Sequence, residues 1–162
     1  MADTEDEAMD VAALSLLADA LPAVEPPPAL RERLLAELAG PQRFAPLAQE
    51  ISDTFAVPLP AVLAALARID DDAAWLLPSP SGPHILPVQG RTVISRLAAG
   101  TVIPRHRHKA RELTYVLDGL LISDGAEHGR ASCIDMAPGT EHALVVGDEG
   151  DCVVVFAVQQ PA

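Results

Sequence analysis

The stretch G-T-V-I-P-R-H-R-H-K-A-R-E, residues 100–112, sets two histidines two positions apart and places a glutamate four positions after the second. In an extended chain residues i and i+2 face the same side, so His106 and His108 aim two imidazoles at one point. Imidazole is the commonest metal-binding side chain, and two on neighbouring same-face positions form a natural chelate. Glu112 can return a carboxylate to that point from the start of the next strand. The best fourth candidate is His142, in P-G-T-E-H, which follows a turn and opens another strand-like run. Three imidazoles and one carboxylate suit a single divalent ion. Zinc is the expected one; iron, manganese, nickel and copper are also compatible, because ligand type alone does not choose among them.

A set of that kind needs strands to hold it, and the second part of the chain supplies them. After L-L-P-S-P-S-G-P-H-I-L-P (residues 76–87), read as a linker or entry loop, the apolar period becomes 2. Short runs such as R-T-V-I-S-R-L-A, E-L-T-Y-V-L-D-G, L-L-I-S-D-G, C-I-D-M-A-P-G and D-C-V-V-V-F-A-V are bounded by Gly, Pro or Asp-Gly at regular intervals, the pattern of an all-β sandwich or barrel. The first part has the helical period instead. Leu14, Leu17 and Leu21 predict one helix within Met9–Leu21, and Leu30, Leu34, Leu35 and Leu38 a second that starts at Pro28 and stops at Gly40-Pro41. Leu47, Ile51 and Phe55 predict a third, and Val62, Leu63, Leu66 and Ile69 a fourth before the three aspartates 70–72. The predicted organisation is therefore an acidic, Pro-punctuated helical module over 1–72 and a β-barrel over 73–162.

Charge excludes several classes of function. The chain of 162 residues carries a formal net charge of −12. Residues 1–72 hold 14 acids and 4 bases, whereas residues 73–162 hold 9 acids and 7 bases and all five histidines. Nucleic-acid binding needs cations that neutralise phosphates. The helix pair over 51–69 has only Arg68 to offer, so a DNA-reading helix-turn-helix is rejected. An anionic membrane surface is disfavoured for the same reason, and the longest apolar runs are far short of a span. The acidic opening M-A-D-T-E-D-E is unlike a secretory leader. A cytoplasmic location is expected.

The spacing around the histidines is also a family pattern. Gly100, five residues, His106, one residue, His108, three residues, Glu112, six residues and Gly119 together reproduce the first cupin motif, G-x5-H-x-H-x3-E-x6-G. The second motif, G-x5-P-x-G-x2-H-x3-N, is retained at Gly139 and His142; the proline stands at 138 instead of 137, Ala131 and Ser132 stand where a Gly-Asp pair is common, and Val146 replaces the terminal Asn. Residues from about 74 to 160 thus resemble a cupin. The resemblance implies a mainly β fold, a cupin-type jelly-roll barrel preceded by a small α-helical module, with a metal held by His106, His108, Glu112 and His142. A narrower resemblance is to ChrR-type anti-sigma factors, carried by R-E-L-T-Y-V-L-D-G, by G-T-E-H-A-L-V-V-G-D-E-G-D-C-V-V-V-F-A-V and by P-P-P-A-L-R-E-R-L-L-A-E-L. Those proteins join a zinc-containing helical domain to a metal-binding cupin and hold a sigma factor inactive until an oxidative signal arrives. The H-x3-C-x2-C zinc motif of that helical domain is absent here, as no Cys precedes Cys133.

Two functional classes follow: a metal-binding sensor or regulator whose helices meet a protein partner such as a sigma factor, or a small metalloenzyme of the dioxygenase or isomerase type. A homodimer is expected in either case. An enzyme would need further polar groups around the metal, and Ser95, Arg96, Thr114 and Tyr115 are the candidates. The cations Arg105, Arg107, Lys109 and Arg111 read as a solvated strand face or, failing that, a docking stripe for an anion or for the acidic helical half. Cys133 and Cys152 read as small buried hydrophobes. His84 and His128 read as loop residues at the surface, Tyr115 and Trp75 as packing rather than substrate contacts, and Asp118 and Glu141 as turn residues.

Overall fold

The computed structural model describes residues 25–40, 42–79 and 82–159. The helix predicted within Met9–Leu21 lies outside them. The chain divides into two units between Ala36 and Glu37. Helix α1, Pro28–Ala39, crosses that boundary, and its Leu34 and Leu35 are half exposed.

In the larger unit, two further helices, α2 (Ala48–Phe55) and α3 (Leu59–Leu66), precede nine strands. These are β1 (His84–Gln89), β2 (Thr92–Leu97), β3 (Val102–Arg107), β4 (Arg111–Asp118), β5 (Leu121–Ser123), β6 (Ala126–His128), β7 (Cys133–Met136), β8 (Glu141–Val146) and β9 (Cys152–Gln159). They form two antiparallel sheets, one of five strands in the order β1-β2-β9-β4-β7 and one of four in the order β3-β8-β5-β6. The fold is mainly β, a jelly-roll barrel with a small helical module before it.

One segment departs from expectation. Residues 84–87, read as the end of a linker or entry loop, lie in β1. Proline cannot donate to a ladder, but β1 is an edge strand, where that loss is tolerated, and the register shifts between Pro87 and Gln89. His84 therefore opens a strand, and His128 likewise lies in β6.

The five-stranded sheet is buried on both faces. One face lines the barrel, with Val116 and Val154 in a cluster that also takes in Leu121, Leu144 and Val146. The other packs on the helical segment: Leu113, Tyr115, Leu117 and Val155 share a cluster with Phe44, Ile51, Phe55, Val62 and Leu66. This double burial explains why β4 and β9 read as nearly unbroken apolar runs. Helix amphipathicity matches it, with Ala48, Ile51 and Phe55 inward in α2 and Val62, Ala65 and Leu66 inward in α3. Leu63, grouped with that face by period, is instead 40% exposed.

Polar contacts fix the helices to the sheet. Trp75 packs under Arg96, whose guanidinium carbon lies 4.3 Å from the ring centre, and Trp75 Nε1 and Arg96 both donate to the Ile69 carbonyl. The Tyr115 hydroxyl donates to Glu50 Oε2 on α2 at 2.8 Å. Burial first, and then that bond, push the phenol well above its usual range. Tyr115→Phe keeps the ring and removes the bond, so it is expected to cost about 1–2 kcal/mol. Denaturant unfolding measures this, and an unchanged midpoint would show the bond to be worth nothing net.

Candidate metal centre

Both sheets contribute to the histidine cluster. His106 on β3 and His142 on β8 are direct partners across the four-stranded sheet. Glu112 stands on β4 in the other sheet. His108 follows β3, where its backbone N–H donates to the Thr140 carbonyl at 2.9 Å and its carbonyl accepts from Gly139 N–H at 2.8 Å. The four side chains offer ligand atoms that all lie within 4.8 Å of one another. The three imidazole rings meet edge to face, with centres 4.7–4.9 Å apart.

A bulge makes this convergence possible. Ile103 pairs with Leu144 and His106 with His142, so three steps on β3 match two on β8. Without the extra residue, Ile103 and His106 would face opposite sides; with it, both line the barrel interior. Pro104 sits in the shift, and its carbonyl lies 3.0 Å from His106 Nδ1. At the motif's far end, Gly119 has φ +81 and a Cβ there would stand 2.5 Å from the Asp151 carbonyl oxygen, so only glycine fits.

The ring nitrogens are divided in the way that metal binding requires. His106 Nδ1 is held by Pro104, and His142 Nδ1 lies 3.0 Å from Ser123 Oγ. His108 Nδ1 lies 3.4 Å from Glu112 Oε2. His108 Nε2 and His142 Nε2 are buried with no hydrogen-bond partner. A buried polar atom left unpaired costs free energy, and a metal ion would satisfy both. Burial, and then the neighbouring His108 and His106 rings, hold the His142 imidazole below its usual range. It therefore stays neutral, the state a metal ligand needs. The residues fit a divalent ion, and the cluster can hold one.

Ser123 was not legible as a site residue. It occupies an ordinary strand end before a turn, and only the fold brings it to His142. Partners of this kind fix ring orientation and typically change metal affinity 10- to 100-fold, so Ser123→Ala is expected to weaken metal binding by roughly that factor. Competition against a chromophoric chelator reads it directly; unchanged affinity would leave Ser123 without a role.

The other candidates sort differently. Ser95 and Thr114 line the barrel interior beside the cluster, but Arg96 and Tyr115 are engaged with the helical segment as described. Arg105 pairs with Asp124 and Arg111 with Asp135 on the exposed side, so half of the cationic stripe is already matched. Cys133, expected to be buried, is exposed on β7, the edge strand of its sheet. Partial desolvation and the Asp135 charge still raise its thiol. Cys152 is buried, which pushes its thiol up to about 11. Neither thiol is set up as a reactive thiolate.

A scan against protein-family models and a search of curated proteins both return no match. Solved structures do match. The chain aligns with a chain of the crystal structure of Rhodobacter sphaeroides SigE in complex with the anti-sigma ChrR at 24% identity, over 94% of this chain and 77% of that one, with a TM-score of 0.51. It also aligns with the Drosophila melanogaster CENP-C cupin domain at 10% identity, over 52% and 75% of the two chains and a TM-score of 0.47. A third match is the polyketide cyclase RemF from Streptomyces resistomycificus, at 19% identity, 57% and 78% coverage and a TM-score of 0.45. The first of these likenesses shows the fold, a cupin-type barrel with helices before it. Among the described residues no helix is long and apolar enough to cross a membrane.

Proposed function

We propose that this chain is a metal-binding sensor or regulatory protein of the ChrR-like anti-sigma type, with one divalent ion, zinc the best match, on His106, His108, Glu112 and His142. The observation that carries the metal is the pair of buried, partnerless Nε2 atoms, on His108 and His142, within the one four-residue cluster. The regulatory half of the reading is supported by the poverty of the interior. Among the described residues, Ser95 and Thr114 are the only polar side chains that line the cavity beyond the cluster, so no carboxylate, imidazole or amine stands there besides the metal-site residues. The helices would carry the output, by meeting a protein partner in the cytoplasm or by pairing two copies. A sigma factor is the partner that the matched complex suggests; without the H-x3-C-x2-C ligands, contact with it would use a surface other than a zinc-built one.

A small cupin metalloenzyme is the second reading. It is favoured by the cavity itself, which opens on the cluster and has room for a small molecule. Metal analysis of full-length protein purified without an affinity tag, followed by titration with a purified extracytoplasmic-function sigma factor, separates the readings. One ion per chain and a stoichiometric complex support the regulator. A metal-loaded chain that binds no sigma factor overturns the anti-sigma assignment, and a chain that holds no metal overturns both.

A further inference from the structure

The space beside the cluster is chemically selective. It is a cavity of about 210 Å³ within the barrel, with His106 and Glu112 in its wall. Leu97, Ile103, Leu121 and Phe156 are among the apolar side chains that line most of the rest. Ser95 and Thr114, 7% and 4% exposed, are the polar exceptions. They stand on β2 and β4, on either side of β9: Ser95 pairs with Val154 and Thr114 with Phe156, both of which also line the cavity. Among the described residues, no lysine or arginine does.

Three constraints follow. A divalent ion with one ligating carboxylate and neutral imidazoles leaves one positive charge in a poorly solvated space, which a single negative charge on a ligand would balance. A second negative charge would have no partner, and burying an unpaired charge is costly. An apolar cavity of about 150 Å³ accommodates benzene, so this one takes a single ring or short branched chain together with a head group.

We propose that the barrel cavity binds a small monocarboxylate with a compact apolar body, aromatic or branched aliphatic. Its carboxylate meets the metal beside Glu112, two positions from Thr114 on the same inward face of β4, and its body lies against Leu97, Ile103, Leu121 and Phe156. Dicarboxylates, phosphates and sugars are rejected because they bring charges or hydroxyls that this wall cannot pair. The inference rests on the metal assignment above.

Calorimetry on the zinc-loaded, full-length chain tests it, with benzoate and isovalerate set against succinate and isoamyl alcohol. The two monocarboxylates are expected to bind more tightly than either control by about tenfold or more, and to lose that advantage when the metal is chelated. Leu144→Phe, which narrows the cavity, and Thr114→Val, which removes a hydroxyl at constant shape, should each weaken benzoate binding; metal content and melting temperature report whether each variant is folded. If Leu144→Phe does not fold, Thr114→Val decides. A chain that takes up no metal overturns this proposal together with the metal assignment. A chain that holds its metal but binds succinate or the alcohol as well as benzoate, binds none of them, or binds benzoate equally with and without the ion, overturns the ligand class alone. Benzoate binding unaffected by either folded variant places the ligand elsewhere and also overturns it.

Discussion

His142→Ala is expected to strip the chain of stoichiometric zinc and to remove most of the thermal stability that a chelator can take from the wild type. The residue is 2% exposed, directly opposite His106 across two strands, and one of the two histidines with a partnerless buried Nε2. An ion that binds only the folded chain stabilises it by about 4 kcal/mol at a thousandfold excess over Kd. For a chain of this size each kcal/mol moves the melting temperature by roughly 2–4 °C, so the loaded wild type should melt about 10 °C above the chelated one. The variant should show almost no such difference. His108→Ala should behave alike, since it removes the other orphaned nitrogen. Scanning calorimetry with and without chelator, beside metal analysis, makes the measurement; a variant that keeps one ion per chain would remove His142 from the site.

Shortening the protein to residues 73–162 is expected to give insoluble or molten material in spite of a complete set of nine strands. The loss would uncover the outer face of the five-stranded sheet, where Leu86, Ile94, Leu113, Tyr115 and Leu117 are at most 2% exposed. A contiguous apolar patch of that kind drives association. Phe44→Ala is the milder form of the same test. Its ring is fully buried, with the Arg43 guanidinium carbon 4.4 Å and that of Arg130 5.2 Å from its centre, and truncating a buried Phe typically costs about 3–5 kcal/mol. Soluble expression, gel filtration and dye binding to exposed apolar surface report on the shortened chain. A soluble monomer melting within a few degrees of the full chain would show that the helices contribute little to the barrel.

Much of the β architecture was legible because period 2 is a local property. The runs over β2, β4, β5, β7 and β9 announce themselves by alternation or by β-branched density between turn residues. β1 did not, since His84, Pro83 and Pro87 make it read as loop; only its place at a sheet edge makes the proline harmless. The residues that gather at the centre could be listed from spacing, but the bulge at Pro104 that turns Ile103 and His106 to the same side could not, nor could Ser123, because both depend on how β3 and β5 register against β8. Arg96 was misplaced for a related reason, whereas Tyr115 packs in the core as read. Alternation says that two neighbours face opposite ways, yet it does not say that both ways are interior. Cys133 looked buried from its apolar neighbours, whereas its position on the last strand of a sheet leaves it open.

Strand β4 shows what that double interior means for sequence drift. Most strands with one wet face leave every second position free to vary; β8 alternates in this way. In β4, Leu113, Thr114, Tyr115, Val116 and Leu117 are all buried. Odd positions are held by the helices and even ones by the barrel lumen, so a substitution suited to one side cannot be absorbed by turning it to solvent. Lineages that altered the helical segment would have had to adjust Leu113, Tyr115 and Leu117 with it, while Thr114 and Val116 answered to the barrel interior. Two separate packing constraints are thus interleaved, residue by residue, along five positions of one strand.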